Sequence, residues 1–183
     1  MRLFLALEPP QEIIDELCQT LVRFQRFKHN GINWVKPENL HLTVNFIGDT
    51  PDHLVDDLWD EIELAAKQYP ASTLKAEGYE LFPDRFPRVL WLKLSSDDRY
   101  LEELSRKVKH IMREKGLDVN KKKLKLHVTL GRLKQAQSPY FEEAVLSYPI
   151  NELIQKWDRL SLYESFLLPN GPRYKLLKQY KFE

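Results

Sequence analysis

The sequence has little of several features that would define a protein class. A single cysteine, Cys18, excludes an intrachain disulfide, which fits a reducing, cytoplasmic compartment. The 28 basic and 27 acidic residues leave a net charge of +1, so the chain lacks the basic excess of proteins that coat long nucleic acids. No apolar run approaches a membrane span, and the one in MRLFLALEPP is too short for a signal peptide. Any contact with nucleic acid should therefore be local, in a cleft.

Apolar sequence is plentiful enough for a packed core. Hydrophobic residues make up 43% of the 183 residues and charged residues 30%, a balance that excludes disorder and suits one domain or two small lobes. The patterning predicts an α+β fold with largely antiparallel sheets. Besides the two segments described next, predicted strands lie at 3–7, 33–35, 73–81, 88–94, 160–167 and 174–182. Predicted helices run from Pro9-Pro10 to about 27, from Thr50-Pro51 to about 65, and over 99–115 and 140–148. The apolar stripe of the first helix includes Cys18 and Val22.

Two strand-like segments carry the same pair of polar residues. In ENLHLTVNFIGD, alternation places His41, Thr43 and Asn45 on one face. KLHVTLGRL repeats the pattern with His127 and Thr129. A lone strand histidine has an ordinary packing explanation more often than not, but a matched pair with threonine at the next position on the same face indicates a site.

The two segments fall at equivalent places in the two halves of the chain. RLFLAL begins at Arg2 and RVLWLKL at Arg88, and in each half the strand histidine follows 39 residues later, at His41 and His127. The pattern predicts a strand–helix–strand unit used twice, in two lobes related by a pseudo-two-fold axis. The histidines would then face each other across the junction between lobes, a common place for a ligand cleft.

Paired imidazoles suit paired proton transfer. Their ordinary pKa near 6.5 allows one ring to be neutral while the other is protonated, as a general base and a general acid require. In-line displacement at phosphorus places the attacking and leaving oxygens on opposite sides of one centre. The threonine hydroxyls and a cation would hold the other oxygens, and Arg132 is the candidate cation. Strict alternation points Arg132 away from the cleft, so a bulge or the strand's end must turn it inward.

Two imidazoles, two hydroxyls and a cation are enough to open a strained phosphate ester whose leaving group stays tethered. A ribose 2′,3′-cyclic phosphate is such an ester. The sequence has no HExxH motif, no clustered Cys and His residues and no aspartate-rich site, so we expect neither a metal nor another cofactor.

The motifs HLTV and HVTL, one in each half, resemble the paired signatures of the 2H phosphoesterase superfamily. WVKPENLHLTVNFIGD, PRVLWLKL, LHVTLGR, SLYES and PNGPRYKLL resemble the RNA 2′,3′-cyclic phosphodiesterase family, also called bacterial 2′-5′ RNA ligase, over nearly the whole chain. The resemblance implies a bilobal fold over residues 1–183 with the histidines in a central cleft. It also implies metal-independent hydrolysis of a cyclic phosphate end to a 2′-phosphate.

Roles for the motif residues follow from the resemblance. His41, in the first motif, would be the proton donor to the departing 3′ oxygen, and His127 the proton acceptor that activates water. Thr43 and Thr129 would bind the phosphate. The expected partners are RNA ends or cyclic nucleotides, for a chain that is a monomer and has no membrane association.

Other positions carry weaker expectations. The resemblance makes Arg132 and Tyr163 phosphate or nucleotide contacts. Phe46 matches an aromatic residue near the family's cleft, but alternation favours the core. The chain departs from the family pattern at Leu126, where proline is frequent, and at Asn45, where a basic residue is common.

Several residues have ordinary alternatives. His29, His53 and His110 are expected to be solvated, and Trp34 is expected to pack, although it could stack on a base. The lysine-rich NKKKLK segment, residues 120–125, is equally consistent with an RNA-attracting loop and with a solvated one.

Two functional alternatives share these residues. The same site could act on a 2′-5′ linkage, by hydrolysis or by reversible ligation, because an RNA 5′ hydroxyl can replace water. A module that binds RNA ends without catalysis is the alternative of another class.

Overall fold

Nine strands form two antiparallel sheets in the computed structural model, which describes residues 1–183. The strands are β1 (Arg2–Leu7), β2 (Ile32–Trp34), β3 (Leu42–Asp49), β4 (Ser72–Phe82), β5 (Val89–Ser95), β6 (His127–Leu133), β7 (Ile154–Trp157), β8 (Arg159–Leu168) and β9 (Gly171–Lys181). The helices are α1 (Gln11–Arg26), α2 (Val55–Ala66), α3 (Tyr100–Glu114) and α4 (Pro139–Leu146). One sheet has the order β3-β1-β8-β9 and the other β2-β6-β5-β4-β7. The predicted α+β class is therefore confirmed.

Each of the two His-x-Thr strands pairs with the first strand of its half of the chain. β3 is an edge strand that pairs with β1, and β6 pairs with β5, both in antiparallel register. β2 comes from the first half of the chain but joins the second sheet, beside β6. The chain thus crosses to the second sheet at β2 and returns to the first at β3, and β3 contacts β6 across the junction between the two sheets.

The helices bury the faces that their apolar spacing predicts. In α1 the buried side chains recur every three or four residues, at Ile13, Leu17, Thr20, Leu21 and Phe24. α3 buries Leu101, Leu104, Ser105, Val108, Ile111 and Met112 in the same way. Most buried apolar side chains of both sheets and all four helices belong to one continuous core.

Some local predictions were wrong. Val22 is 52% exposed, because it lies at the margin of the α1 stripe, and Cys18 is only half-buried. Thr50 does not cap a helix: its hydroxyl donates to the Gly48 carbonyl, and a 3₁₀ turn over Asp52–Leu54 precedes α2. The short strand β7 was not predicted.

None of the four helices combines the length and apolar character needed to cross a membrane.

Candidate active site

His41 lies immediately before β3, and backbone geometry fixes its tautomer. Its Nδ1 is 2.6 Å from the carbonyl oxygen of Asn39. A carbonyl can only accept, so Nδ1 carries a hydrogen. The other nitrogen, Nε2, lies 3.0 Å from the Thr43 hydroxyl. Nε2 is therefore the atom that can gain or lose a proton at the site.

His127 begins β6 and repeats this arrangement. Its Nδ1 is 2.7 Å from the carbonyl oxygen of Lys125, again two residues earlier, so this ring too has its hydrogen on Nδ1. Unlike His41, its Nε2 makes no hydrogen bond within the chain, and the half-buried Thr129 hydroxyl is also unbonded. The neutral ring has a lone pair on Nε2 that is available to a water molecule.

Both rings lie in an environment that favours the neutral form. Burial lowers the pKa of His41 below 6.5; the hydrogen bond to Asn39 opposes this, and the nearby charges of His127 and Arg132 lower the pKa further. Burial also lowers the pKa of His127, opposed by the Lys125 carbonyl and reinforced by the charges of Arg132 and Lys125. The two imidazoles and the guanidinium of Arg132 are thus close enough to influence one another.

A bulge in β3 changes which side chains face the cleft. The pairing with β1 passes over Val44, directly after Thr43, so Thr43 and Phe46 fall on the same face. Phe46 is 61% exposed and lines the groove, and its predicted place in the core was wrong. Asn45, predicted on the histidine face, is instead buried, and its Nδ2 donates to the Ser105 carbonyl at 3.2 Å.

β6 has a bulge at the equivalent place. Its pairing with β5 passes over Leu130, directly after Thr129, so Arg132 returns to the face of His127 and Thr129. This is the inward turn that Arg132 required, and it explains why its charge acts on both imidazoles. Phe46 and Arg132 each follow the strand histidine by five residues, so the two bulges present an aromatic ring from one lobe and a cation from the other.

Aromatic side chains support both imidazoles. Phe4 lies 5.0 Å from the His41 ring between centroids, and Tyr174 packs edge-on against His41 at 5.4 Å. Trp91 lies 4.2 Å from the His127 ring. Tyr174 was not among the predicted site residues, although PNGPRYKLL contains it; burial raises the pKa of its hydroxyl while the Arg132 charge lowers it. It lies on β9, and only strand pairing brings it to His41.

Tyr163 lies beside this cluster, with its hydroxyl already bonded. Its ring stacks on Phe4 at 5.3 Å, and its hydroxyl donates to Glu8 Oε1 at 2.8 Å. The same carboxylate oxygen accepts from Ser161 and Gln179, each at 2.7 Å. Burial and the Glu8 carboxylate raise the pKa of Tyr163. Its expected role as a substrate contact stays a prediction.

A groove of about 540 Å³ opens at this site. The groove is lined by Thr43 and His127 from the site, by Phe46, and by the lysine-rich segment at 120–125. We call it the lysine groove.

The remaining candidates lie elsewhere. Trp34 packs against His29 and Phe141, with its Nε1 donating to His29 Nε2 at 3.2 Å. His29 is therefore half-buried, contrary to the prediction of a solvated ring, whereas His53 and His110 are exposed as expected. No group of three or more His, Cys, Asp or Glu side chains is arranged to hold a metal ion.

Comparison with known proteins gives consistent matches. A family model described as LigT-like phosphoesterase matches residues 7–91 and, a second time, residues 92–174. A protein of Thermotoga maritima named RNA 2′,3′-cyclic phosphodiesterase is 27% identical over 100% of this chain and 96% of its own length. A Thermus thermophilus protein of the same name is 31% identical over 98% of this chain and 89% of its own.

A solved structure supports the fold. The crystal structure of E. coli LigT complexed with 3′-AMP has a TM-score of 0.74 and 21% identity, and the likeness covers 99% of this chain and 97% of that one. This agreement in fold extends over both sheets.

Proposed function

The chain belongs to the LigT-like phosphoesterase family, and on that premise we propose that it opens 2′,3′-cyclic phosphate ends of RNA or of nucleotides to 2′-phosphates. One observation carries the proposal. Two imidazoles, each with Nδ1 held by the carbonyl two residues earlier, leave their Nε2 atoms for proton transfer at one junction. The names of the curated relatives from Thermotoga and Thermus support the choice of substrate.

The proposed reaction divides two proton transfers between the two rings. His127 Nε2 takes a proton from water as the water oxygen bonds to phosphorus. The bond from phosphorus to O3′ breaks while His41 Nε2 gives its proton to that oxygen. The products are a 2′-phosphate and a 3′-hydroxyl, with His127 protonated and His41 neutral. Proton exchange with solvent restores the starting forms.

The difference between the two rings supports this assignment of roles. His127 Nε2 has no partner in the chain, so its lone pair can accept a proton from water. His41 must start as the imidazolium, although burial lowers its pKa in the free enzyme. The anionic phosphate of a bound substrate would favour the charged ring, so His41 gains its proton where it is needed.

The remaining groups of the site suit the phosphate itself. We place Thr43, Thr129 and Arg132 on its non-bridging oxygens, where the guanidinium offsets charge that grows in the transition state. The two imidazoles supply both proton transfers, and the proposed reaction uses no metal.

The test is a hydrolysis assay in chelator. A nucleoside 2′,3′-cyclic monophosphate and a short RNA with a cyclic end are incubated with the protein, and phosphorus NMR identifies the product. We expect a 2′-phosphate. His41→Ala and His127→Ala should each lower the rate roughly 10²- to 10⁴-fold. His110→Ala is the matched control, because His110 is exposed and its Nε2 faces Glu114 at 3.4 Å on the helix surface.

Other outcomes separate the alternatives. A 3′-phosphate product would contradict the assigned leaving group. Joining of the cyclic end to an added RNA with a 5′ hydroxyl, lost in the same two variants, would show ligation at this site. Binding of the RNA end without any turnover would favour the non-catalytic module.

A further inference from the structure

Trp91 lies against the imidazole that the proposed reaction uses as its base. The centres of the Trp91 and His127 rings are 4.2 Å apart and their planes differ by 36°, a separation too short for an edge-on contact, so the imidazole lies over the indole face. Trp91 is on β5, opposite Thr129 of β6, and only 7% of its surface is exposed. It does not line the lysine groove, so any effect of this ring on the reaction passes through His127.

His127 must become positively charged where positive charge is disfavoured. Burial lowers its pKa, and the charges of Arg132 and Lys125 lower it further. Lys93 lies opposite His127 on β5 and forms an ion pair with Glu80 at 3.3 Å. The Nδ1 of His127 donates to the neutral carbonyl of Lys125 and not to a carboxylate. His127 therefore lacks the hydrogen-bonded carboxylate that stabilises the imidazolium in a Ser-His-Asp triad.

An indole face offers a cation negative potential without carrying a charge itself. The faces of aromatic rings are negative, and tryptophan attracts a cation within about 6 Å of its ring centre more strongly than tyrosine or phenylalanine does. The 4.2 Å between the Trp91 and His127 rings is well within that distance. Because this attraction acts on an imidazolium and hardly on a neutral imidazole, Trp91 favours the form that His127 takes after it accepts a proton.

Two neighbours fix the orientation of the indole. Its Nε1 donates to Glu80 Oε2 at 3.3 Å, and Phe82 stacks on it at 4.5 Å with the ring planes 16° apart. Lys125 Nζ in turn lies 3.9 Å from the centre of the Phe82 ring. The indole therefore presents its face to His127 before any proton moves.

His41, the proposed acid, has no indole beside it. Phe4 lies 5.0 Å from its ring and Tyr174 meets it edge-on at 5.4 Å. The charges of His41 and His127 act on each other across the junction between the sheets, so the acid is helped by releasing its proton and the base by holding one. The ring that lies over tryptophan is the one that must hold the proton.

We propose that Trp91, oriented by Glu80, is a positioning residue that stabilises the imidazolium of His127 through its indole face. This inference rests on the proposed function for the role of His127 as the base. It gives Trp91 a part in the proton transfer in addition to its packing in the second sheet.

The first test measures the pKa of His127 without turnover. NMR of the histidine Cε1–H groups follows all five rings through pH, and His127→Ala assigns the signal of His127. Growth on tryptophan that is trifluorinated on its six-membered ring withdraws electrons from the indole face with little change in size. We expect the pKa of His127 to fall by about 0.4–1.5, which corresponds to the loss of a cation–π contact. His110, exposed on α3, should titrate as before.

The second test uses substitutions, with a matched control elsewhere in the core. Trp59 is also buried, and its Nε1 donates to Glu63 Oε2 at 3.0 Å. Trp91→Leu should lower kcat roughly 2- to 30-fold and leave KM unchanged, and Trp91→Phe should restore part of the loss. Trp59→Leu should lower the free energy of unfolding and leave kcat unchanged.

The two proposals can fail separately. A pKa of His127 that is the same with trifluorinated tryptophan as with tryptophan would overturn this inference and leave Trp91 with a packing role alone. If turnover is lost in His127→Ala but that pKa does not move, the proposed function is supported without it. A lowered pKa in a protein that turns over neither cyclic substrate would support the indole contact and contradict the proposed function.

Discussion

The substitution Phe46→Ala tests whether this ring is exposed, as the structure shows, or lies in the core, as alternation predicts. Phe46 is 61% exposed, so about two-fifths of its surface is covered. A fully buried aromatic side chain removes about 150–250 Å² from water. The covered part is then about 60–100 Å², and at about 25 cal/mol per Å² the change should lower the free energy of unfolding by at most about 2.5 kcal/mol.

Phe24→Ala is the control for a buried phenylalanine. Phe24 is completely buried in the core, where truncation to alanine costs about 3–5 kcal/mol. Urea unfolding of both variants, with comparable slopes against denaturant, gives the two values directly. A loss in Phe46→Ala as large as that in Phe24→Ala would refute the outward turn at the bulge and restore the core assignment.

The same variant has a functional consequence. If a base of a bound RNA end stacks on Phe46, removal of the ring should weaken binding of a short RNA that ends in a phosphate by roughly 5- to 150-fold, since stacking contributes about 1–3 kcal/mol per base. Phe46→Leu keeps an apolar side chain without the aromatic face. It should unfold almost like the wild type and still lose affinity. Wild-type affinity in both variants would contradict the stacking role.

Three further predictions concern other parts of the site. Because burial lowers the pKa of both His41 and His127 below 6.5, the proposed acid loses its proton as pH rises and the proposed base gains one as pH falls, so kcat/KM should peak below about pH 6.5. A pH profile that is still rising at pH 7.5 would contradict these protonation states. Tyr163→Phe removes only the hydroxyl that donates to Glu8, so we expect a loss of about 1 kcal/mol in urea unfolding and little change in kcat/KM. A large fall in kcat/KM would instead show that the hydroxyl contacts substrate. Gly131→Ala would place a Cβ 3.0 Å from a methyl group on β2, and this overpacking should lower the free energy of unfolding by about 1–3 kcal/mol. A free energy of unfolding equal to that of the wild type would mean that β2 shifts to accommodate the added methyl group.

Much of the secondary structure was predictable because the sequence patterns that indicate it lie within short segments. Helical stripes of period 3.6 and strands of period 2 are properties of short segments, and they located α1, α3 and most strands. The expectation of a paired site came from the same source, since His41 with Thr43 and His127 with Thr129 recur at equal spacing in the two halves.

Alternation failed where pairing between strands intervened. A bulge belongs to a pair of strands and not to one of them, so the segment around Phe46 cannot show by itself that β1 passes over Val44. The need for a bulge was inferred for Arg132 because its charge suited the cleft. The same reasoning was not applied to Phe46, whose apolar side chain suited the core equally well. Asn45 was misplaced for the same reason.

The sequence by itself determined the fold class and the expectation that two histidines and two threonines share one site, because both follow from residue type and short-range period. Tertiary structure alone decided the outward turn of Phe46, the approach of Tyr174 to His41 and the joining of the lysine segment to the site in one groove. These features depend on strand register and on packing between segments distant in the chain, which short-range patterns do not encode.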